Sequence, residues 1–344
     1  MIKAGVIGAT GYAGAELTRL LSRHEETEIT AVGSKTHEGK KLSEIYPAMR
    51  GICDAVCISN SDVIELSDVV FACLPHGLSQ DIAKACDDAG KLFIDLGADF
   101  RLTDEKAYET WYEGEFKYPE LHERAVYGLP EIFRDEIREA KLIANPGCYP
   151  TAVALGIYPL LKRGLVEPDA IVIDAKSGVT GAGRVPSQTT HFPECNEAFT
   201  PYKITEHRHT PEIEQTLSHA AGKRLKITFV PHLLPINRGI LATIYLRAKL
   251  GINEQALREA YESFYFGEKF VRILNPGETA SLRNVRMSNY CDISLHFDRR
   301  TGALVVVSVI DNMVKGAAGQ AVQNMNIALG LPEGTGLTMI PSLF

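Results

Sequence analysis

The chain has 344 residues, 45% hydrophobic and 23% charged, with a formal net charge of −7. That length suits roughly two domains of about 150 residues, and the composition excludes disorder as the main state. An acidic chain with no Lys/Arg block is not built for nucleic acid or an anionic membrane surface, although a small anionic substrate needs only a few local cations.

Residues 2–7 form a short apolar run followed at once by glycines. Residues 13–23 then read as a helix and 28–32 as a second apolar run, giving β-turn-α-β within about 30 residues. This opening reads as strand and turn rather than as a signal peptide. Continuous apolar runs recur at 68–74 and 92–96, with a helical pattern at 77–90 between them and a short strand at 142–144. Continuous rather than alternating runs predict a parallel sheet covered on both faces. The longest uncharged stretch, 142–161, is broken by Asn145 and prolines 146, 150 and 159, so no membrane span is expected.

After Cys148 the pattern changes. Strands are predicted at 171–175, 226–230, 240–247, 293–297 and 304–310, with a DRRTG hairpin turn at 298–302 and one helix at 253–265 among them. This predicts a second, α+β domain with a mainly antiparallel or mixed sheet. Residues 181–210 show little periodicity, which inside a compact domain marks a functional segment. Residues 312–330 are helical again, rich in Ala and Gly, and are expected to return to the first domain. The expected division is 1–147 with 312–344, and 148–311.

Gly8, Gly11 and Gly14 in GATGYAG follow a strand and open a helix. Such glycines allow a tight turn and close approach to a pyrophosphate, and the helix N-terminus offers amide groups and partial positive charge. Twenty residues past Gly14, where an NAD site would carry Asp or Glu, stand Ser34 and Lys35. A hydroxyl and an ammonium suit a 2′-phosphate, so NADP is expected over NAD. The seven cysteines are scattered and odd in number, which argues for a reducing, cytoplasmic setting. Cys53 and Cys57 have no second pair or His cluster to complete a metal site and read as buried thiols; no metal is expected.

Cys148, in NPGCYPT, precedes a predicted helix with Pro150 in its first turn. A thiol there feels the helix's positive end, which favours thiolate. Beside a nicotinamide its main use is to hold an acyl group as a thioester and let hydride reach the carbonyl carbon. A proton manager is needed, and His207 and His209 stand out in TEHRHTPEIE, just before a helix. Arg208 lies between them. Arg101, after a strand end in DLGADFRL, and Lys176, Arg184 and Arg238 near glycine turns could meet an acyl phosphate. SGVTGAG, from Ser177, could cradle an anion through its amides or act as a hinge.

With these residues in view, the chain resembles the acyl-phosphate reductases of the aspartate-semialdehyde dehydrogenase-like family. The matching segments are GATGYAGAEL, LPHG (74–77), DLGADFRL, YGLPE (127–131), NPGCYPT, SGVTGAGR, HRHTPEI, RGILAT (238–243) and DNMVKGAAGQAVQNMN (311–326). They span nearly the full length. The resemblance implies a Rossmann-type doubly wound domain plus an α+β domain for catalysis and oligomerisation. It implies reduction of N-acetyl-glutamyl 5-phosphate to the semialdehyde, in arginine biosynthesis, with Cys148 as nucleophile and His209 as acid/base. NADPH would lie on Gly8, Thr10, Gly11, Tyr12, Ala13 and Gly14, with Ser34 and Lys35 by the 2′-phosphate and Asn312 near the nicotinamide. Arg101, Ser177, His207 and Arg208 would face the substrate. A homo-oligomer, tetramer or dimer, is implied. Three other readings stay open at this point: the same chemistry on aminoadipyl phosphate, a Cys–His acyltransferase or hydrolase without cofactor, and a non-catalytic NADP sensor.

Overall fold

The structure, a computed structural model, describes residues 1–343 in two compact units. The first comprises residues 1–146 and 317–339, and the second 147–316 with the segment from residue 340. Residues 147, 312–316 and 340–343 therefore group with the second unit, where the sequence had placed them in the first.

Seven parallel strands form the first sheet: β1 Ile2–Ile7, β2 Thr27–Gly33, β3 Cys57–Ile58, β4 Val69–Ala72, β5 Leu92–Asp95, β6 Val126–Tyr127 and β7 Leu142–Ala144. Their order is β3-β2-β1-β4-β5-β7-β6, a doubly wound sheet that changes direction at β1. Strands β4 and β5 are buried along their whole length, as expected of a sheet covered on both faces. Ile7, Val70, Ala72, Phe93 and Leu142 pack with Val63, Cys86 and Leu121 in one core cluster. The two-residue strands β3 and β6 carry no apolar run of their own and were not expected.

Helix Gly319–Ala328 belongs to this unit and is buried from Gly319 to Ile327. Several of its buried polar side chains find partners within the unit. The Asn324 amide donates to the Gly128 carbonyl at 2.8 Å, and Asn326 Oδ1 lies 2.9 Å from His24 Nε2.

The second sheet is mixed. It contains β8 Val172–Gly178, β9 Thr200–Pro201, β10 Thr228–Leu234, β11 Ile240–Arg247, β12 Val271–Ile273, β13 Cys291–Asp298 and β14 Ala303–Ile310, in the order β12-β13-β14-β11-β8-β10-β9. Pairing is antiparallel except for β8 with β10 and β12 with β13. Helix Cys148–Lys162 is buried from Tyr149 to Leu161, which explains why its sequence is apolar all round. It packs on β11 and β14 through Gly156, where a Cβ would stand 3.0 Å from Ile244 Cδ1 and 3.1 Å from Ser308 Cβ. Pro159, inside this helix, has no N–H for the Leu155 carbonyl. The Tyr265 hydroxyl donates there instead at 2.6 Å, and Tyr261 donates to the Gly156 carbonyl at 2.6 Å.

Candidate active site

The glycine loop follows β1, the switch point of the first sheet. Gly8 has φ +78°, and a Cβ there would meet the Cys73 carbonyl oxygen at 2.3 Å. A Cβ on Gly14 would meet Gly8 O at 2.3 Å and Ala9 Cα at 2.7 Å. Both glycines are demanded by the loop's own packing. Gly11 differs: its added Cβ would find only Gly8 O, at 3.5 Å, so the chain itself tolerates a side chain. A glycine kept without internal need fits a ligand that approaches the backbone. Helix Tyr12–Leu21 begins there with neither a side-chain cap nor an acidic residue in its first turn, which suits an incoming pyrophosphate. Ser34, after β2, is buried, and its Oγ lies 2.8 Å from Thr10 Oγ1. Lys35 is exposed. The residues expected around a dinucleotide, Thr10, Tyr12, Ala13, Ser34 and the glycines, thus share one loop and the adjoining strand end.

Past β5, the same unit holds a buried acidic cluster. Asp99 accepts from the Gly77 and Ser79 amides at 2.6 and 2.9 Å and from the Tyr108 hydroxyl at 2.9 Å. Asp95 accepts from Ser79 Oγ at 2.7 Å and from the Gly97 amide at 2.8 Å. Burial, then the charge of Asp99, pushes the Asp95 carboxyl up to about 7. Arg101, expected at the substrate, is buried. Its Nε donates to the Asn145 carbonyl and its Nη2 to the Leu96 carbonyl, both at 2.8 Å. One donor therefore holds the first residue of NPGCYPT and the other the turn just after β5.

In the second unit, Gly147 is the N-cap and Cys148 the first residue of helix Cys148–Lys162, so the thiol stands at the helix's positive end. Cys148 is half-buried. The Gly147 amide donates to Glu212 Oε1 at 2.8 Å, and Glu212 is fully buried. Glu212 lies one turn into helix His209–Ala221, so a single carboxylate ties the helix that starts at His209 to the residue before Cys148.

The His207 and His209 rings lie 4.8 Å apart, centroid to centroid. Around them are Tyr149, whose ring is 5.5 Å from His207 and 5.9 Å from His209, and Tyr202, 5.5 Å from His207. His207 Nδ1 accepts the His209 amide at 3.1 Å, so the ring proton sits on Nε2, 3.4 Å from the Tyr202 oxygen. Burial first, then the neighbouring His209, drives the His207 imidazole down to about 2, so it is neutral at working pH. The Tyr202 and Tyr149 oxygens are 3.2 Å apart. Burial pushes the Tyr202 phenol up to about 12 and raises Tyr149 further, and the Cys148 charge contributes to both shifts. Two protonated phenols and a neutral imidazole therefore accompany the thiol. Arg208, half-buried, is the N-cap of the His209 helix.

Ser177 and Asn312 lie on either side of Gly181: a Cβ there would be 3.5 Å from Ser177 Oγ and 3.6 Å from Asn312 Nδ2. Ser177 is buried, and its hydroxyl donates to the Gly178 carbonyl at 2.9 Å. The Asn312 carboxamide accepts from the Gly239 amide at 2.7 Å and donates to Thr180 Oγ1 at 3.0 Å, which holds the glycine turn in place. Of the other cations considered, Lys176 pairs with Asp174 at 2.6 Å, Arg238 lies 3.6 Å from Asp311, and Arg184 is exposed.

Sequence reading missed Glu212, Tyr149 and Tyr202. Glu212 carried one signal, three residues after His209 and hence on the same helix face; the tyrosines carried none until the fold brought them together. Among the described residues, no cluster of three or more His, Cys, Asp or Glu could hold a metal, and no helix is long and apolar enough to cross a membrane.

Comparison with known proteins extends this picture. Residues 3–140 match the family model "Semialdehyde dehydrogenase, NAD binding domain" and residues 148–312 match "Semialdehyde dehydrogenase, dimerisation domain". The chain is 55% identical to an N-acetyl-gamma-glutamyl-phosphate reductase of Brachyspira hyodysenteriae and 53% identical to one of Clostridium botulinum, with 100% of each chain covered. It is 51% identical to that of Moorella thermoacetica over 97% of both. Among solved structures, aspartate semialdehyde dehydrogenase with NADP from Candida albicans superposes with a TM-score of 0.71 at 18% identity, covering 95% of this chain and 98% of that one. Aspartate semialdehyde dehydrogenase II of Vibrio cholerae gives 0.70 at 15% identity, covering 96% and 98%. At such identities the likeness concerns the fold.

Proposed function

The chain belongs to the N-acetyl-gamma-glutamyl-phosphate reductase family, and from that premise we propose that it reduces N-acetyl-gamma-glutamyl phosphate to the semialdehyde with NADPH, through a thioester on Cys148. The observation that carries the thioester is the placement of Cys148 at the first position of a buried helix, with Glu212 and His209 on the adjoining one. Cys148 Sγ attacks the acyl carbon. The carbon–oxygen bond to phosphate breaks, and phosphate leaves with the electron pair. A nicotinamide held on the glycine loop would supply the hydride that this carbon accepts. The carbon–sulfur bond then breaks, the aldehyde departs, and the thiolate returns. First-turn amides of the Cys148 helix, with no acidic side chain among them, stabilise the oxyanion. His209 moves the protons, while neutral His207, through its bond to the His209 amide, holds the start of that helix. Ser177 and Arg208 stand on the substrate side, and Arg101 supports the 145–147 segment.

The cofactor is a nicotinamide dinucleotide, and NADP is our finer reading. Gly8 to Gly14 hold the pyrophosphate by main-chain approach. Ser34 and Lys35 meet the 2′-phosphate, and Asn312 shapes the turn at 178–183. The seven free thiols support a reducing, cytoplasmic setting, which cell fractionation would test.

The deciding experiment is Cys148→Ser, assayed on the acyl phosphate with dinucleotide titration alongside. Turnover should fall on the order of 10³-fold or more while NADPH binding is kept. NADPH should bind at least about tenfold more tightly than NADH. Near-normal turnover in Cys148→Ser removes the thioester, and equal affinities remove the assigned role of Ser34 and Lys35.

A further inference from the structure

Gly316 has a negative or extended φ, so its backbone does not itself call for glycine. Space does. An added Cβ would stand 2.8 Å from Cys148 Cβ, 3.3 Å from Cys148 Cα and 3.3 Å from Ile310 Cδ1. The first distance is shorter than real carbon contacts, and it falls on the β-carbon of the nucleophile.

The segment that brings Gly316 there is built with unusual care. Val314–Ala318 is a π-helical turn, and the Gly316 amide donates to the Asp311 carbonyl, five residues back, at 3.0 Å. Such turns are rare and cluster at functional sites. The Asp311 carboxylate, fully buried, secures the turn. Its Oδ1 accepts from the Met313 and Val314 amides at 2.8 and 3.2 Å, and its Oδ2 accepts from the Met287 amide at 2.7 Å. Met287 itself is held at φ +62°, a strained value for methionine, and Arg238 Nη1 lies 3.6 Å from Oδ1. Ile310, the other neighbour, ends β14, which is paired on both sides. The turn is thus held by Asp311 and Ile310 by the sheet, while the Cys148 helix is anchored by Glu212 through the Gly147 amide.

We propose that Gly316, set by the Asp311-supported π-turn, is a positioning residue for the reaction: its bare backbone is the wall against which the Cys148 side chain is placed for attack. This rests on the reading of Cys148 as nucleophile. A displacement of about 1 Å at a reacting atom can cost about 100-fold in rate. With the turn held by Asp311, a methyl on Gly316 presses on the Cys148 Cβ, so the Sγ is expected to shift.

The test uses the full-length enzyme and four variants: Gly316→Ala, Ile310→Val, the two combined, and Asp311→Asn. Gly316→Ala should lower kcat by about 30-fold or more with KM within about threefold. Iodoacetamide alkylation of Cys148 should change by at least about fivefold, with NADPH affinity unchanged. Ile310→Val alone should be silent. The double variant, which relieves the Ile310 contact but not the Cys148 contact, should stay as slow as Gly316→Ala. Rescue by Ile310→Val, or normal kcat and alkylation in Gly316→Ala, overturns the proposal. If Gly316→Ala does not fold, Asp311→Asn decides. It cannot present two anionic oxygens to the three amides, and it should alter Cys148 alkylation with NADPH affinity kept; unchanged alkylation there overturns the proposal. Cys148→Ser separates the two levels: an active Cys148→Ser ends the thioester reading itself, whereas an inactive one beside a normal Gly316→Ala ends only this inference.

Discussion

Gly11 and Gly14 sit three residues apart and answer to different constraints. Gly14 is glycine because the loop's own backbone leaves no room, with Gly8 O at 2.3 Å and Ala9 Cα at 2.7 Å from any Cβ. Gly11 is glycine although the loop has room. The two alanine variants should therefore separate folding from binding. Gly14→Ala should lose stability by several kcal/mol, roughly 2–4, since main chain must shift. Gly11→Ala should keep its Tm within about 2 °C and weaken NADPH at least about tenfold. Thermal melts and fluorescence titration read both. A Gly11→Ala that binds normally would show that the ligand does not approach there.

At the level of elements, the helix that carries Cys148 shows how a local defect is repaired from a distance. Pro159 suits the packing but leaves the Leu155 carbonyl without its helical donor. Tyr265, 110 residues on, closes the gap at 2.6 Å. Tyr265→Phe keeps the ring and removes only that donor, so it should cost about 1–3 kcal/mol, the cost of a buried acceptor left unsatisfied. Urea unfolding should show the midpoint shift with an unchanged m-value. A loss below about 0.5 kcal/mol would mean that the carbonyl finds another partner.

At the scale of the whole molecule, the second sheet has one face toward its helices, and its other face is covered at Leu241, Val307 and Val309 by residues 274–290 and open farther along. On the open face β8 and β11 present Val172, Asp174, Thr243 and Tyr245, with Val172 and Tyr245 38% and 44% exposed. Val172 and Tyr245 stand opposite each other in register, side by side on that face. The family model that residues 148–312 match is described as a dimerisation domain, so a second copy of this chain on that face is the outcome to test. Light scattering of the native protein should give a dimer or tetramer mass. Tyr245→Glu, which places a charge on that face, should lower the mass or raise the dissociation constant at least about tenfold. A monomeric native protein removes the reading.

What the sequence determined alone was whatever depends on near neighbours. Buried parallel strands show as unbroken apolar runs, so β1, β2, β4 and β5 were legible to within a few residues. The glycine loop and Cys148 were legible because a turn and a helix start carry local chemistry, and the family resemblance added His209 its role. The two-residue strands β3, β6 and β9 were not legible, because their pairing comes from the neighbouring strand and not from their own pattern. Tertiary structure alone decided that Glu212 holds the amide before Cys148, that two of Arg101's donors go to main-chain carbonyls, and that Gly316 abuts Cys148. All but the Arg101–Leu96 bond join residues 44 to 168 positions apart, fixed by packing density and by the need of buried polar groups for partners.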